Sequence, residues 1–443
     1  KTNYWRVFMF RIKNSLFILL MVLTLSSLLI IGCGDAEEPI SSAPEKTEQD
    51  HDGPDRDENE PPQKDAKQEE SKEAMSSGLS YPDKPPEIGM ILVGPRNDKG
   101  WSQAHFEGGQ YLAGIHGAEM ITVDFVNPAD SPNLTVDQVA ADMIAEGAEL
   151  IIATSDDMKD GILVAAENNP EVSMIWASGD SAKSDGKNYR PDLMNLANVM
   201  GKMEYGKMIA GCAAAIQSET GHISFLGPLI NDETRRLANA AYLGAKHCWK
   251  MSGGDRDDLD FRVVWIGFWF HIPGVTSDPT QVANEFFDNG SDVIISHIDT
   301  PEALIVTEQR ALAGENVWVV GYDYEFACDL APTRCLGVPY FNWGPAYNKL
   351  AHDSAEDIFE ATWHWNDPNW DDLNDPDTSP IGFHIGDALN DVEMLEEFIA
   401  GLASGDINLY KGPINFQNGQ GWIVAGSTAS DNNIWYSEML LEG

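Results

Sequence analysis

Positive charge is what this sequence has least of. Of 443 residues, 28 are Lys or Arg against 71 Asp or Glu, a formal net charge of −43. Such a chain repels polyanions, and no basic stripe runs along it, so nucleic acid is excluded as a partner. The acid excess reads as a solvated surface, of the kind that suits a salty medium. Cysteine is also scarce, five in all, and the spacing matches no zinc site. There is no nucleophile elbow, no HExxH, no Walker loop and no paired-carboxylate spacing that stands out. A protein that binds, rather than an enzyme, is the reading this leaves, with no catalytic residue, no cofactor and no metal assigned. The Asp-rich stretch "HWNDPNWDDLNDPDTSP" (364–380) lacks the central Gly and final Glu of a calcium loop and reads as an acidic surface insert. No short-period repeat is present.

What is there begins with a basic flank, "KTNYWRVFMFRIKN", followed by the apolar run "SLFILLMVLTLSSLLIIGC". A charged flank, an apolar stretch and a small residue make an export signal, although the run approaches the length that spans a bilayer. The ending decides. Leu29-Ile30-Ile31-Gly32-Cys33 resembles a bacterial lipobox, with Cys33 as the lipidated residue. Residues 1–33 are thus expected to be a lipoprotein signal, and the protein to be exported and anchored in the cell envelope through lipid. Residues 34–84 carry Asp, Glu, Lys, Pro, Gln and Ser with hardly an aromatic. Such a segment buries too little apolar area to offset ordering entropy and reads as a disordered tether. Beyond it, Cys328 and Cys335 are close enough in sequence to close a loop. Cys212 and Cys248 fall in helix-like stretches and read as buried thiols.

From Pro86 onward, short apolar runs alternate with segments of helical periodicity: "IGMILVG", then a helix from about Ser102 to His116; "AEMITVDFV", then "TVDQVAADMIAEGA"; "AELIIATS", then "MKDGILVAAENN". A second series starts near Asn198. Strands alternating with helices argue for parallel α/β sheets, and two series argue for two lobes. In open α/β sheets ligands bind at the carboxyl ends of strands. Those ends here carry rings and carboxylates together, with His297 and Asp299 among the side chains expected to face a cleft. That mixture suits a planar, polar, neutral ligand better than an anion.

The strongest patches are "DKGWSQAHFEG", "MEYGKMIAG", "FWFHIPG", "ANEFFDNGSDVIISHIDTP", "VVGYDYEFA", "FNWGPAY" and "KGPINFQNG". In order and spacing, from about Glu87 to near the C-terminus, the chain resembles the basic membrane protein family, the purine-nucleoside-binding lipoproteins of ABC transporters. The resemblance implies the type I periplasmic-binding-protein fold: α/β, two Rossmann-like lobes, a hinge and a central ligand cleft. It implies residues 85–200 as the first lobe, 201–320 as the second, and 321–443 as hinge-crossing segments that complete both. An ABC permease would be the partner, and a purine base or nucleoside the ligand. A sensory receptor of the same fold, signalling to a membrane partner, is the alternative.

Carried over position by position, the resemblance implies that the loop with Asp98, Trp101 and Ser102 lays the Trp101 ring against the purine. Trp269 or Phe270 would supply the second ring from the other lobe, and strand alternation sends one of that pair toward the core. Asp323 in "GYDYE" matches the ligand-contacting Asp of the family. Ser155 and Asp156 occupy another cleft position, and His105 lies one helical turn beyond Trp101, to touch ligand or brace the loop. The nucleoside-binding branch has a Lys near "FNW"; this chain has Asn342 and Trp343 there. That difference favours a free base, adenine in particular, with Trp343 in the binding set.

Overall fold

The computed structural model describes residues 86–253 and 258–442. The export signal, Cys33 and the tether lie outside them.

The first lobe is built on β1 (Ile88–Ile91), α1 (Trp101–His116), β2 (Met120–Val123), α2 (Val136–Glu146), β3 (Leu150–Ala153), α3 (Lys159–Asn168), β4 (Ser173–Trp176) and β5 (Leu196–Gly201). The second continues with α4 (Met203–Gln217), β6 (His222–Gly227), α5 (Asp232–Met251), β7 (Asp260–Trp265), α6 (Pro279–Asp288), β8 (Val293–Ser296), α7 (Glu302–Leu312), β9 (Trp318–Val320) and β10 (Cys335–Phe341). The chain then returns for α8 (Gly344–Ala355) and β11 (Trp363–Asn366). It crosses again for β12 (Ile381–Ile385) and α9 (Val392–Ser404), and ends in β13 (Ile414–Asn415), β14 (Gly421–Ile423) and α10 (Asp431–Trp435).

One sheet runs β11-β5-β4-β3-β1-β2, parallel throughout. The other runs β12-β10-β9-β8-β6-β7, parallel except for the β10–β12 pair. Every residue of β1, β3 and β8 is buried, as expected of parallel strands covered on both faces, which read as continuous apolar runs.

The chain passes between the sheets after β5, after β10 and after β11. The last passage is the Asp-rich stretch. It differs from a simple surface insert in two ways. Its first residues form β11, paired with β5 from Trp363↔Asn198 to Asn366↔Gly201. Its middle is tied to both lobes. Asn374 accepts from the Phe383 backbone N–H (2.8 Å) and the Tyr340 hydroxyl (3.1 Å), while Tyr111 of α1 donates to Asp377 (2.9 Å).

The thiol reading of Cys212 and Cys248 is corrected. They form a disulfide between α4 and α5, Cα atoms 5.1 Å apart. Cys328 and Cys335 form a second, closing the short loop before β10. Helices α4 and α5 lie close enough that a Cβ on Gly211 or Gly244 would strike the other helix's backbone.

Candidate functional site

The loop between β1 and α1 is shaped by its own polar residues. The Asp98 carboxylate accepts from the backbone N–H groups of Gly100 (2.9 Å), Ser102 (2.9 Å) and Gln103 (3.0 Å), and so holds the first turn of α1. Burial pushes Asp98 up to about 6 against those three bonds. The Ser102 hydroxyl is fully buried and accepts from the Gly94 N–H (3.0 Å). Asp98 and Ser102 therefore build the loop that aims Trp101 and do not line the cleft.

Trp101 points inward. Its indole N–H donates to the Thr154 carbonyl at the end of β3 (2.6 Å). Its ring stands edge-on to His105 (4.6 Å between centroids), Phe341 (5.5 Å) and Trp343 (5.5 Å). Behind it is a stacked pillar. Trp343 lies between Phe341 (4.7 Å, 23°) and His105 (4.1 Å, 20°), and His105 Nδ1 meets the Tyr347 hydroxyl at 2.6 Å. His105 is completely buried, and burial holds its imidazole neutral. The bracing role is thus the one the structure gives His105, and Trp343 shares it. Neither lines the cavity in this structure, because their faces are covered by rings.

Trp101 lines a small, nearly closed cavity between the lobes, with Ser155, Asp156 and Ser178 on its own side. Glu233, Trp269, His297, Asp299 and Tyr322 face them from the second lobe. Of the 269–270 pair, Trp269 takes the cavity. Phe270 packs against the core and stands edge-on to Phe268 (5.0 Å), so it is removed from the binding set. The lobes touch at the rim, where a Cβ on Gly100 would collide with the Asp299 carbonyl.

Asp323 sits behind this wall and does not line the cavity. It is fully buried in a left-handed conformation (φ 66°), which Asp tolerates better than most residues. Neither carboxylate oxygen accepts from a backbone N–H, so the side chain caps no turn, and the Tyr322 hydroxyl is its polar neighbour. Burial drives its carboxyl well above the ordinary range, with Lys207 pulling the other way.

Lys207 of α4 is the least expected residue here. It is fully buried; its ammonium donates to the Ser296 carbonyl (2.8 Å) and lies 3.2 Å from the Tyr322 ring centroid. Arg236 pairs with Glu204 (2.5 Å), both buried. Burial raises Glu233 to about 7, against the pull of Arg236, and raises Asp299 well above its usual range, with Asp323 adding to it. In both, burial favours the protonated form. A protonated carboxyl both donates and accepts, so the cleft suits an uncharged polar ligand. Among the described residues, no group of three or more His, Cys, Asp or Glu is arranged to hold a metal ion.

Sequence reasoning therefore brought Trp101, Ser155, Asp156, Trp269, His297 and Asp299 to one cavity, and the strand-end rule also reaches Ser178, just past β4. It missed Glu233 and Tyr322, the latter just past β9. Glu233, in the first turn of α5, carries no signal beyond that of an ordinary helix-start acid.

A family model described as the ABC transporter substrate-binding protein, PnrA-like, matches residues 86–362. The chain belongs to this Bmp family. It is an ABC transporter substrate-binding protein. A purine-binding protein of Brucella abortus is 25% identical over 364 residues, spanning 81% of this chain and 93% of the relative. A protein of Haloferax volcanii, named for glucose binding in an ABC transporter, is 24% identical over 276 residues, 62% of each chain. Among solved structures, a solute-binding protein of an Aeropyrum pernix ABC transporter superposes with a TM-score of 0.57 at 13% identity, over 80% of this chain and 96% of its own. That likeness shows the fold, the two-lobed periplasmic-binding-protein arrangement, and no more.

Proposed function

We propose that the cleft captures a purine base, adenine foremost, and delivers it to an ABC permease. The observation that carries this is the pair of indoles, Trp101 and Trp269, brought to one cavity from opposite lobes and surrounded by carboxyls and hydroxyls. A flat heterocycle offers two faces to stack and an edge to hydrogen-bond, which these rings and polar groups would match once the lobes part to admit it. The Brucella relative's name supports the ligand class. A free base is favoured over a nucleoside because Asn342 is turned away, donating to the carbonyls of Pro376 (2.9 Å) and Ser379 (2.8 Å).

Closure of the lobes on the base would bury it and shape the face the permease meets. Export through residues 1–33, lipid on Cys33 and a tether over 34–84 belong to the same proposal. They are supported by the lipobox-like ending and by two disulfides, which persist in oxidising compartments.

Calorimetric titration of the soluble domain with adenine, adenosine, guanosine, ribose and glucose tests the reading. Tight adenine and weak adenosine are expected. Trp101→Ala removes one stacking face, worth about 1–3 kcal/mol per base, so affinity is expected to fall roughly 5- to 150-fold. An unchanged affinity would remove the stacking claim, and binding of glucose alone would remove the purine.

A further inference from the structure

Four buried polar atoms on the cleft wall lack a well-aligned hydrogen-bond partner: both ring nitrogens of His297, the Tyr322 hydroxyl, whose polar neighbour is the buried Asp323 carboxyl, and the Trp269 indole nitrogen. Interior polar groups are nearly always paired, so a set left open on one cavity wall marks a place where something else completes them. His297 follows the last residue of β8 and Tyr322 lies just past β9, so adjacent parallel strands deliver them side by side, rings 4.4 Å apart. Phe225 covers the back of His297 at 5.4 Å. Lys207 touches both strand ends at once, through the Ser296 carbonyl and the face of the Tyr322 ring.

We infer that His297 and Tyr322 read the polar edge of the bound ring, and that Lys207 is the positioning residue that sets their spacing. This rests on the purine reading for the identity of the ring, though not for the existence of the wall. A neutral imidazole carries one donor and one acceptor, and a phenol carries both. Side by side they match a heterocycle edge on which a donor adjoins a lone pair, as in an aminopurine. A carboxylate or phosphate, which offers acceptors alone, would leave the acceptor nitrogen of the imidazole unpaired. Lys207 does not line the cavity, so it acts through the two residues it holds.

Tyr322→Phe and His297→Gln each change one polar function with little change of shape. Adenine affinity, by calorimetry, is expected to drop at least tenfold in each, while the melting temperature of the ligand-free protein stays level or rises. A fall in melting temperature for Tyr322→Phe would mean that the hydroxyl has a structural partner, and it overturns the inference whatever the ligand. Unchanged affinity in both variants overturns it too. Lys207→Met is expected to weaken adenine binding in the wild-type background but to add no loss when Tyr322 is already Phe, since a positioning residue acts through its wall. Equal losses in both backgrounds overturn its positioning role. If wild-type protein takes neither adenine, adenosine nor glucose, the purine reading is lost. The wall then stands only on a rise in melting temperature for Tyr322→Phe, the mark of an unpaired buried hydroxyl, and falls without it.

Discussion

Gly100 belongs to one lobe and Asp299 to the other, and their backbones meet with no room for a methyl group. Gly100→Ala is therefore expected to hold the rim open. Ligand affinity should fall at least tenfold by calorimetry, with a melting temperature close to wild type because the clash is absent when the lobes separate. Glu233 gives a second test. In the folded protein it keeps its proton up to about pH 7, against an ordinary 4.5 in the unfolded chain. Between those values the folded state holds the extra proton, so this contribution to stability is full below about pH 4.5 and is lost as pH rises through 7. Melting temperatures from pH 5 to 8 should decline more steeply in wild type than in Glu233→Gln. At this scale the sequence was legible at several strand ends, as with Trp101, Ser155 and Asp299, though not at Tyr322. It was opaque at Lys207 and Glu233, whose surroundings come from the other elements packed on α4 and α5.

Helices α4 and α5 form the tightest pairing in the second lobe, with Gly211 and Gly244 at the contact and a disulfide joining Cys212 to Cys248. The bridge closes a loop across 36 positions. Loops of this size are stabilised by about 2–4 kcal/mol when cross-linked. The double substitution Cys212→Ser with Cys248→Ser should lower the denaturant midpoint accordingly and leave adenine affinity near wild type, because neither sulfur approaches the cavity. The alternation of strands and helices was readable at this level because buried parallel strands leave uninterrupted apolar runs. Strand β11 was not. "WHWN" is polar and aromatic, pairs on one side only, and becomes a strand because β5 offers it an edge. The pairing of Cys212 with Cys248 was hidden for a similar reason: helical periodicity says which face is buried, not which neighbour covers it.

Across the whole molecule the excess of 71 acids over 28 bases is a repulsive load. Raising salt from 0.1 to 1 M shortens the screening length from about 10 to about 3 Å. The melting temperature is expected to rise over that range, and a flat response in a KCl series would show that the surface acids are already neutralised locally. The sequence by itself determined the two-lobed α/β plan, the family and the loop that carries Trp101. These rest on local information: apolar runs, helical periodicity, turn residues and short motifs. The tertiary structure alone decided which side chains meet. Trp101 and Trp269 face one cavity, Lys207 sits under Tyr322, and His105 is withdrawn behind Trp343, because the order of strands in the two sheets and the passages of the chain between them bring together residues that lie far apart in sequence.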